Sequence, residues 1–404
     1  MTSQTVPGSN GVPFIGKYLG VVEFMKDWQG FFLSRQKATG SDIFRANLGT
    51  QTIAILDPRP MAVVMDTKLV KKRYGFGAFR PHPALVGHIV PTVFENGVEH
   101  MAQKAFWMDV QRERAGQLYS IFDDALSERI ARWEKGPFIW DDEMDSLWAD
   151  VLFRWLIDAD GPAADVDTWM GDVLANFAFG SKFNDAKAAW ERLLALVRHS
   201  PGFDRIAEIG ASHQMNAELS AKTVTFSLGF NGWAGITGLA RSAVADLTNH
   251  RDQTADLDRF VLEVARMHPP VNMLYGETLA PMDLESHGQT FHVRQGELLM
   301  GVVYNAQRDP EIFQDPTRFM PDRFADPVCR ENLYWAGAPD SDMPGVSNHM
   351  CSGRDFVLVL LRKMLERLID YEWTLQRRPV WSELTYPSAG GPMDPMQVSG
   401  FRRR

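Results

Sequence analysis

The sequence predicts a mainly helical fold with a smaller β part, and three observations carry that expectation. Apolar residues recur at three- and four-residue spacing through four stretches, 98–130, 140–157, 186–197 and 215–247. The β-prone, turn-punctuated stretches lie mainly at 43–56 and 278–303. No internal repeat or low-complexity segment interrupts the chain, so residues 1–404 are expected to form a single domain.

In chain order, 6–16 reads as irregular, and 43–48 with 52–56 as a hairpin about Gly49-Thr50. Pro60 opens a short helix through Asp66. Between Lys71 and Gly97 the chain is rich in Gly, Pro and aromatics without a period, and loops of that length are often functional. Phe106, Val110, Leu118, Ile121, Phe122, Leu126 and Ile130 then mark one helix face. The helix over 215–247 would be about 50 Å long at 1.5 Å per residue, enough to cross a domain. A helix over 256–267 is stopped by Pro269-Pro270. Turns at His287-Gly288 and Gln295-Gly296 divide the strands of 278–303. Residues 309–324 are proline-rich and irregular, and the tail from Pro379 reads as loops and short strands.

Composition narrows the function. Hydrophobic residues make up 45% and charged residues 23%, as in a soluble globular protein. A net charge of -9 gives a nucleic-acid partner no electrostatic support. Two cysteines, Cys329 and Cys351, allow neither a disulfide framework nor a Cys-rich metal site, which suits a reducing compartment. The start lacks a charged segment followed by an apolar one, and no run approaches eighteen apolar residues. A cytoplasmic protein without a transmembrane anchor is expected. The nineteen Met and twenty-five Phe provide pliable and aromatic wall material.

One cysteine stands apart. Asn348-His349-Met350-Cys351-Ser352-Gly353-Arg354-Asp355-Phe356 runs directly into Val357-Leu358-Val359-Leu360-Leu361, which reads as a buried helix. Gly353 would permit a tight turn there. The helix N-terminus would present its free N–H groups and positive dipole end to the sulfur, lowering the thiol pKa and favouring the metal-ligating thiolate. A small buried hydrophobe is the commoner use of a free cysteine, so its company in the chain matters.

That company is specific. Glu263-Val264-Ala265-Arg266 sets an acid and a base three apart on a helix, ordinarily a solvated pair of small worth. Phe319-Met320-Pro321-Asp322-Arg323-Phe324 follows, and then the cysteine loop. In this order and spacing, and with Asn305-Ala306-Gln307-Arg308-Asp309-Pro310, they resemble the haem-thiolate cytochromes, the cytochrome P-450 superfamily. The resemblance implies the cytochrome P-450 fold and a haem b whose iron takes Cys351 as its axial thiolate. It implies that Glu263 and Arg266 are structural, locked by Arg323, and that Asn348 and Gly353 belong to the haem-binding loop. His349 resembles the family's propionate-binding position. His100 and Lys104, four apart on one helix face, resemble the early-helix pair that reaches the propionates.

The departures from the superfamily identify a branch. Oxygen-activating members carry an acid–alcohol pair after Ala/Gly-Gly in the central helix. Here Phe230-Asn231-Gly232-Trp233-Ala234-Gly235-Ile236 is followed by Thr237 and Gly238, so the proton relay is missing. The cysteine loop, Pro344-Gly345-Val346-Ser347-Asn348-His349-Met350-Cys351, also lacks the usual opening Phe. Phe230-Asn231-Gly232-Trp233-Ala234-Gly235 and Asn348-x-x-Cys351-x-Gly353-Arg354-Asp355 are similar to the allene oxide synthase and hydroperoxide lyase family. So are Val6-Pro7-Gly8, Tyr275-Gly276, Glu285-Ser286-His287 and Gly296-Glu297. The plastid-targeting extension of plant members is lacking, as in a bacterial-type member.

This resemblance implies a lyase or isomerase acting on a polyunsaturated fatty acid hydroperoxide, with no redox partner, dioxygen or NADPH. An Asn within an apolar helix costs helix propensity and buries an amide that needs partners. Facing a haem, Asn231 would both donate to and accept from a hydroperoxide. The substrate already contains the O–O bond that an electron-rich thiolate helps to cleave. The alkoxyl radical would close onto the neighbouring double bond, and oxidation with proton loss would give an allene oxide. Expected pocket walls are Phe76, Phe79, Phe230, Trp233, Thr237, Met273, Leu274 and Tyr275. In allene oxide synthases a Phe of the early loop is thought to steer the radical. Gly75 falls at that position here with Phe76 beside it, so an epoxyalcohol or a cleavage product stays open. A monooxygenase, a peroxygenase using hydrogen peroxide and a non-catalytic haem sensor are the other classes; the missing relay opposes the first, and no effector domain is visible for the last.

Overall fold

The computed structural model describes residues 3–9, 16–72, 81–175, 182–335, 343–381, 392 and 394–404. Long helices dominate, among them Gly97–Trp133, Trp140–Ile157, Phe183–His199, Ala217–Phe226, Ala234–Asn249, Leu257–Met267 and Arg354–Leu368. Their apolar faces share one large core that includes Phe106, Phe122, Trp148, Trp190 and Met364. Trp140–Ile157 coincides with the stretch expected from periodicity. Several elements go beyond the sequence reading: the helices Trp28–Thr39, Ala163–Ala175 and Phe203–Ser212, and the strand Tyr371–Leu375.

The β part centres on a five-stranded sheet ordered Ile43–Asn47, Gln51–Ile55, Leu298–Val302, Met273–Thr278 and Val70–Lys71. The first two strands pair antiparallel from Ile43 opposite Ile55 to Asn47 opposite Gln51, the hairpin expected about Gly49-Thr50. A second sheet pairs Met282–Ser286 antiparallel with Gln289–Val293 through the His287-Gly288 turn. Ser286 donates to Asp57 Oδ2 at 2.7 Å, and His287 Nε2 lies 2.6 Å from Asp42 Oδ2, which ties that turn back to the first hairpin. No helix among the described residues is long and apolar enough to cross a membrane.

The stretch expected as one uninterrupted helix is a composite. Ala217–Phe226 and Ala234–Asn249 are α-helical, but Ser227–Trp233 between them is a π-helix. The local reason is packing: a Cβ at Gly229 would lie 2.3 Å from Trp169 Cζ3, so only a glycine lets the backbone approach that ring. Trp169 is fixed by donating its Nε1–H to Leu85 O at 2.7 Å. At the far end of the π-segment, Trp233 Nε1 donates to Asp145 O at 2.9 Å, anchoring it to Trp140–Ile157. Widened turns of this kind are frequent at functional sites.

Glu263 and Arg266 form no solvated pair. Both side chains are fully buried, joined by two hydrogen bonds of 2.7 and 2.8 Å. Arg323 Nε reaches the same carboxylate at 3.1 and 3.2 Å, and Met320 N–H donates to it at 2.8 Å. Arg266 donates onward to the carbonyls of Gln307 and Pro316, and Arg323 to those of Gln314 and Arg318. Every charge in the cluster therefore has partners, the condition under which buried ions are tolerated. The cluster staples the irregular stretch 309–324 to the helix Leu257–Met267.

Candidate active site

Several elements surround one cavity of about 240 Å³, among them Trp140–Ile157 with Leu152, Trp155 and Leu156. Gly97–Trp133 contributes His100, Lys104, Trp107 and Gln111, one stripe at three- and four-residue spacing. The central helix contributes Ser227, Phe230, Asn231, Gly235, Ile236 and Leu239; the turn into the sheet contributes Pro270 to Met273. The cysteine loop closes it with His349, Met350, Cys351, Ser352 and Gly353. The lining is predominantly apolar, with its polar groups gathered on few positions.

Asn231 Nδ2 sits 3.4 Å from Ser227 Oγ, one turn back within the π-segment, and both residues face the cavity. Phe230 beside it stacks on Phe226 at 4.8 Å and meets Phe94 edge-on at 6.0 Å, which fixes this part of the wall. Met273 also lines the cavity.

Four expected wall residues do not line it. Trp233 is buried and turned to Asp145, and Thr237 is buried with its hydroxyl donated to Trp233 O at 2.8 Å. Leu274 and Tyr275 continue the strand from Met273 into the interior of the sheet, packed in separate clusters on its two sides. Phe76 and Phe79 lie outside the described residues.

The cysteine loop departs from expectation in three respects. Gly353 has φ -94° and ψ 4°, ordinary angles for any residue, so no turn requires it. A Cβ there would make ordinary contacts, 3.6 Å from Gln111 Nε2 and 3.9 Å from Cys351 Sγ, so Gly353 marks where these two groups come together. Asn348 does not line the cavity. Its side chain accepts the N–H groups of Gly345 and Met350 at 3.2 Å each, shaping the loop from within. Burial pushes the Cys351 thiol above its usual range; the Gly353 N–H, Lys104 and Arg354 pull it down but do not win. Desolvation, not the helix terminus, dominates the bare thiol.

A basic cluster lies beside the loop. Lys104 Nζ donates to Asn348 Oδ1 at 3.0 Å and Met350 O at 2.9 Å, and to Asn348 O. No carboxylate of the described residues pairs with it, and burial holds its ammonium down to about 8. His100 Nδ1 lies 2.8 Å from Thr92 Oγ1 and its Nε2 3.2 Å from Asn348 O; its ring is 4.1 Å from that of His349. Burial also lowers both imidazoles, and Lys72 and Lys104 lower them further. Lys72 donates to Val64 O at 3.3 Å and to Tyr275 O, and burial brings it down to about 7. Sequence reading misses Lys72, which sits at the edge of an aperiodic loop. It also misses Gln111, whose only signal is a polar residue seven positions after Lys104 on the same face.

A sequence profile described as Cytochrome P-450 matches residues 249–384, the stretch holding the Glu263 cluster and Cys351. The matched stretch is the cysteine-bearing third or so of the chain. It is 24% identical to a chloroplastic allene oxide synthase of Linum usitatissimum, over 90% of this chain and 81% of the relative. It is 21% identical to a chloroplastic fatty acid hydroperoxide lyase of Solanum lycopersicum, over 88% and 90%. Among solved structures it resembles a cytochrome P-450 determined with myristic acid, at a TM-score of 0.74 and 18% identity over 95% and 97% of the two chains. Its fold is the cytochrome P-450 fold.

That fold implies a thiolate-ligated haem, and the residues here fit one. Lys104, His100 and His349 line the cavity together beside the cysteine loop, nitrogen groups of the kind that the propionates of a haem would accept from. The space that a Cβ at Gly353 would fill lies beside the Cys351 sulfur. Cys329 offers no rival: it lies outside the cavity, and its thiol faces Ile312 O at 3.5 Å. Cys351→Ser is expected to abolish the thiolate-type carbon monoxide band of the reduced protein, and Cys329→Ser to keep it. Difference absorption spectra of the two variants check this, and the reverse pattern would overturn the ligand choice.

Proposed function

We propose that this protein is a fatty acid hydroperoxide dehydratase or isomerase of the allene oxide synthase type, working at a haem b on Cys351 without dioxygen, NADPH or a redox partner. One observation carries the reading: the central helix turns an amide, Asn231, into the cavity shared with Cys351 and offers no acid–alcohol pair beside it. The likeness to an allene oxide synthase and a fatty acid hydroperoxide lyase supports the substrate class. When bound, the thiolate-ligated haem supplies O–O bond cleavage. His100, Lys104, His349 and Lys72 would hold its propionates.

The chain's own residues do the rest. The Asn231 amide donates to and accepts from the hydroperoxide, holding its distal oxygen in place. Ser227 accepts from that amide and restrains its rotation. Phe230, Ile236, Leu239 and Met273 face the acyl chain and keep water from the reacting carbons. The allene oxide is the product proposed; an epoxyalcohol or a chain-cleavage product would share this first step.

The purified protein, incubated anaerobically with 9- and 13-hydroperoxides of a polyunsaturated fatty acid and no reductant, is expected to consume them. Mass spectrometry should find ketols from hydrolysis of the allene oxide. Epoxyalcohols or short aldehydes instead would reassign the product. A strict need for a reductase and NADPH would overturn the function.

A further inference from the structure

The stripe His100, Lys104, Trp107 and Gln111 ends on a residue with no role in the reading above. Gln111 is 7% exposed and lines the cavity, yet its side-chain amide makes no hydrogen bond to any described residue. An amide that faces a cavity with no protein partner takes one from what fills or borders that cavity. Its surroundings name the partner. Gln111 Nε2 and Cys351 Sγ both lie within 4 Å of a single point, the position a Cβ on Gly353 would occupy. Glycine at this position puts no side-chain atom of its own between the amide and the sulfur.

We propose that Gln111 donates its side-chain N–H to the Cys351 sulfur when that sulfur is the thiolate ligand of the haem. Gln111 is then a positioning residue acting through the ligand. A hydrogen bond to an axial thiolate draws charge off the sulfur, weakens its donation to iron and raises the reduction potential. The long helix thereby carries two functions on one face: cations for the propionates near its start, and a tuning donor for the thiolate two turns later.

The test uses the haem-loaded full chain with Gln111→Met, which keeps length and volume but removes the donor. The ferric/ferrous potential, by spectroelectrochemistry, is expected to move more negative, and the iron–sulfur stretch, by resonance Raman, to rise in frequency, at unchanged haem content. Both quantities unchanged would overturn the proposal. If the Met variant takes up no haem, Gln111→Asn keeps an amide one methylene too short; it should show the same two shifts, and wild-type values there would equally overturn it. The inference rests on Cys351 as ligand and not on the hydroperoxide reaction. A wild-type protein without the thiolate-type band fails the ligand assignment. One with the band and no response to Gln111→Met fails this inference alone.

Discussion

Asn231→Leu is expected to keep the haem, the thiolate-type spectrum and the fold, and to lose hydroperoxide turnover by about 10²–10³, the usual cost of one preorganised polar contact to developing charge. The size of the loss follows from the wall around it. The neighbours of Asn231 in the cavity are largely apolar, so no other side chain of the central helix but Ser227 stands ready to replace its amide. Asn231→Gln, which retains the amide and displaces it by one methylene, should keep part of the activity. Single-turnover rates with a fatty acid hydroperoxide measure both. Equal rates for the Asn231→Leu variant and its parent would mean that the side chain only packs, and that the chemistry belongs to other groups of the cavity.

The largest loss of stability is expected at Glu263. Glu263→Gln leaves Arg266 and Arg323 facing each other in a fully buried site with one neutral partner, and breaking such a pair from one side costs about 3–5 kcal/mol. The carboxylate also accepts the Met320 N–H, so the irregular stretch after it should loosen. Urea unfolding followed by tryptophan fluorescence would give a lower midpoint for the variant. A midpoint matching the parent would mean that the two guanidinium groups find sufficient partners among the backbone carbonyls they already touch.

Much of this architecture is legible in the sequence because it rests on local periodicity and on motifs of fixed spacing. The helix at Trp140–Ile157 has an apolar face wide enough to mark both of its ends. Glu263, Arg266 and Arg323 are recognisable only together, since each alone is an ordinary surface charge. The π-segment is not legible: one additional residue per turn changes the apolar spacing too little to separate from α-helical scatter. Trp233, Thr237, Leu274 and Tyr275 fall outside the cavity for a related reason. Adjacency in sequence to Asn231 or Met273 is not adjacency to the cavity, because helix rotation and strand alternation point these side chains elsewhere. The direction of the Cys351 shift turns on burial, which no motif reports. Lys72 and Gln111 become visible only when three segments distant in sequence converge.

The π-segment has a mechanical consequence. A turn closed by i→i+5 bonds takes in one more residue than an α-turn, and one residue of α-helix corresponds to a rotation of about 100°. Ala217–Phe226 and Ala234–Asn249 are therefore two rods joined out of phase. The first takes its bearing from Phe183–His199 and Phe203–Ser212, and the second from Leu257–Met267 and Arg354–Leu368. Asn231 sits in the coupling between them. Its aim is set by the angular offset of two separately braced halves, so a change in the packing of either half would swing the amide like a pointer without touching a residue of the cavity.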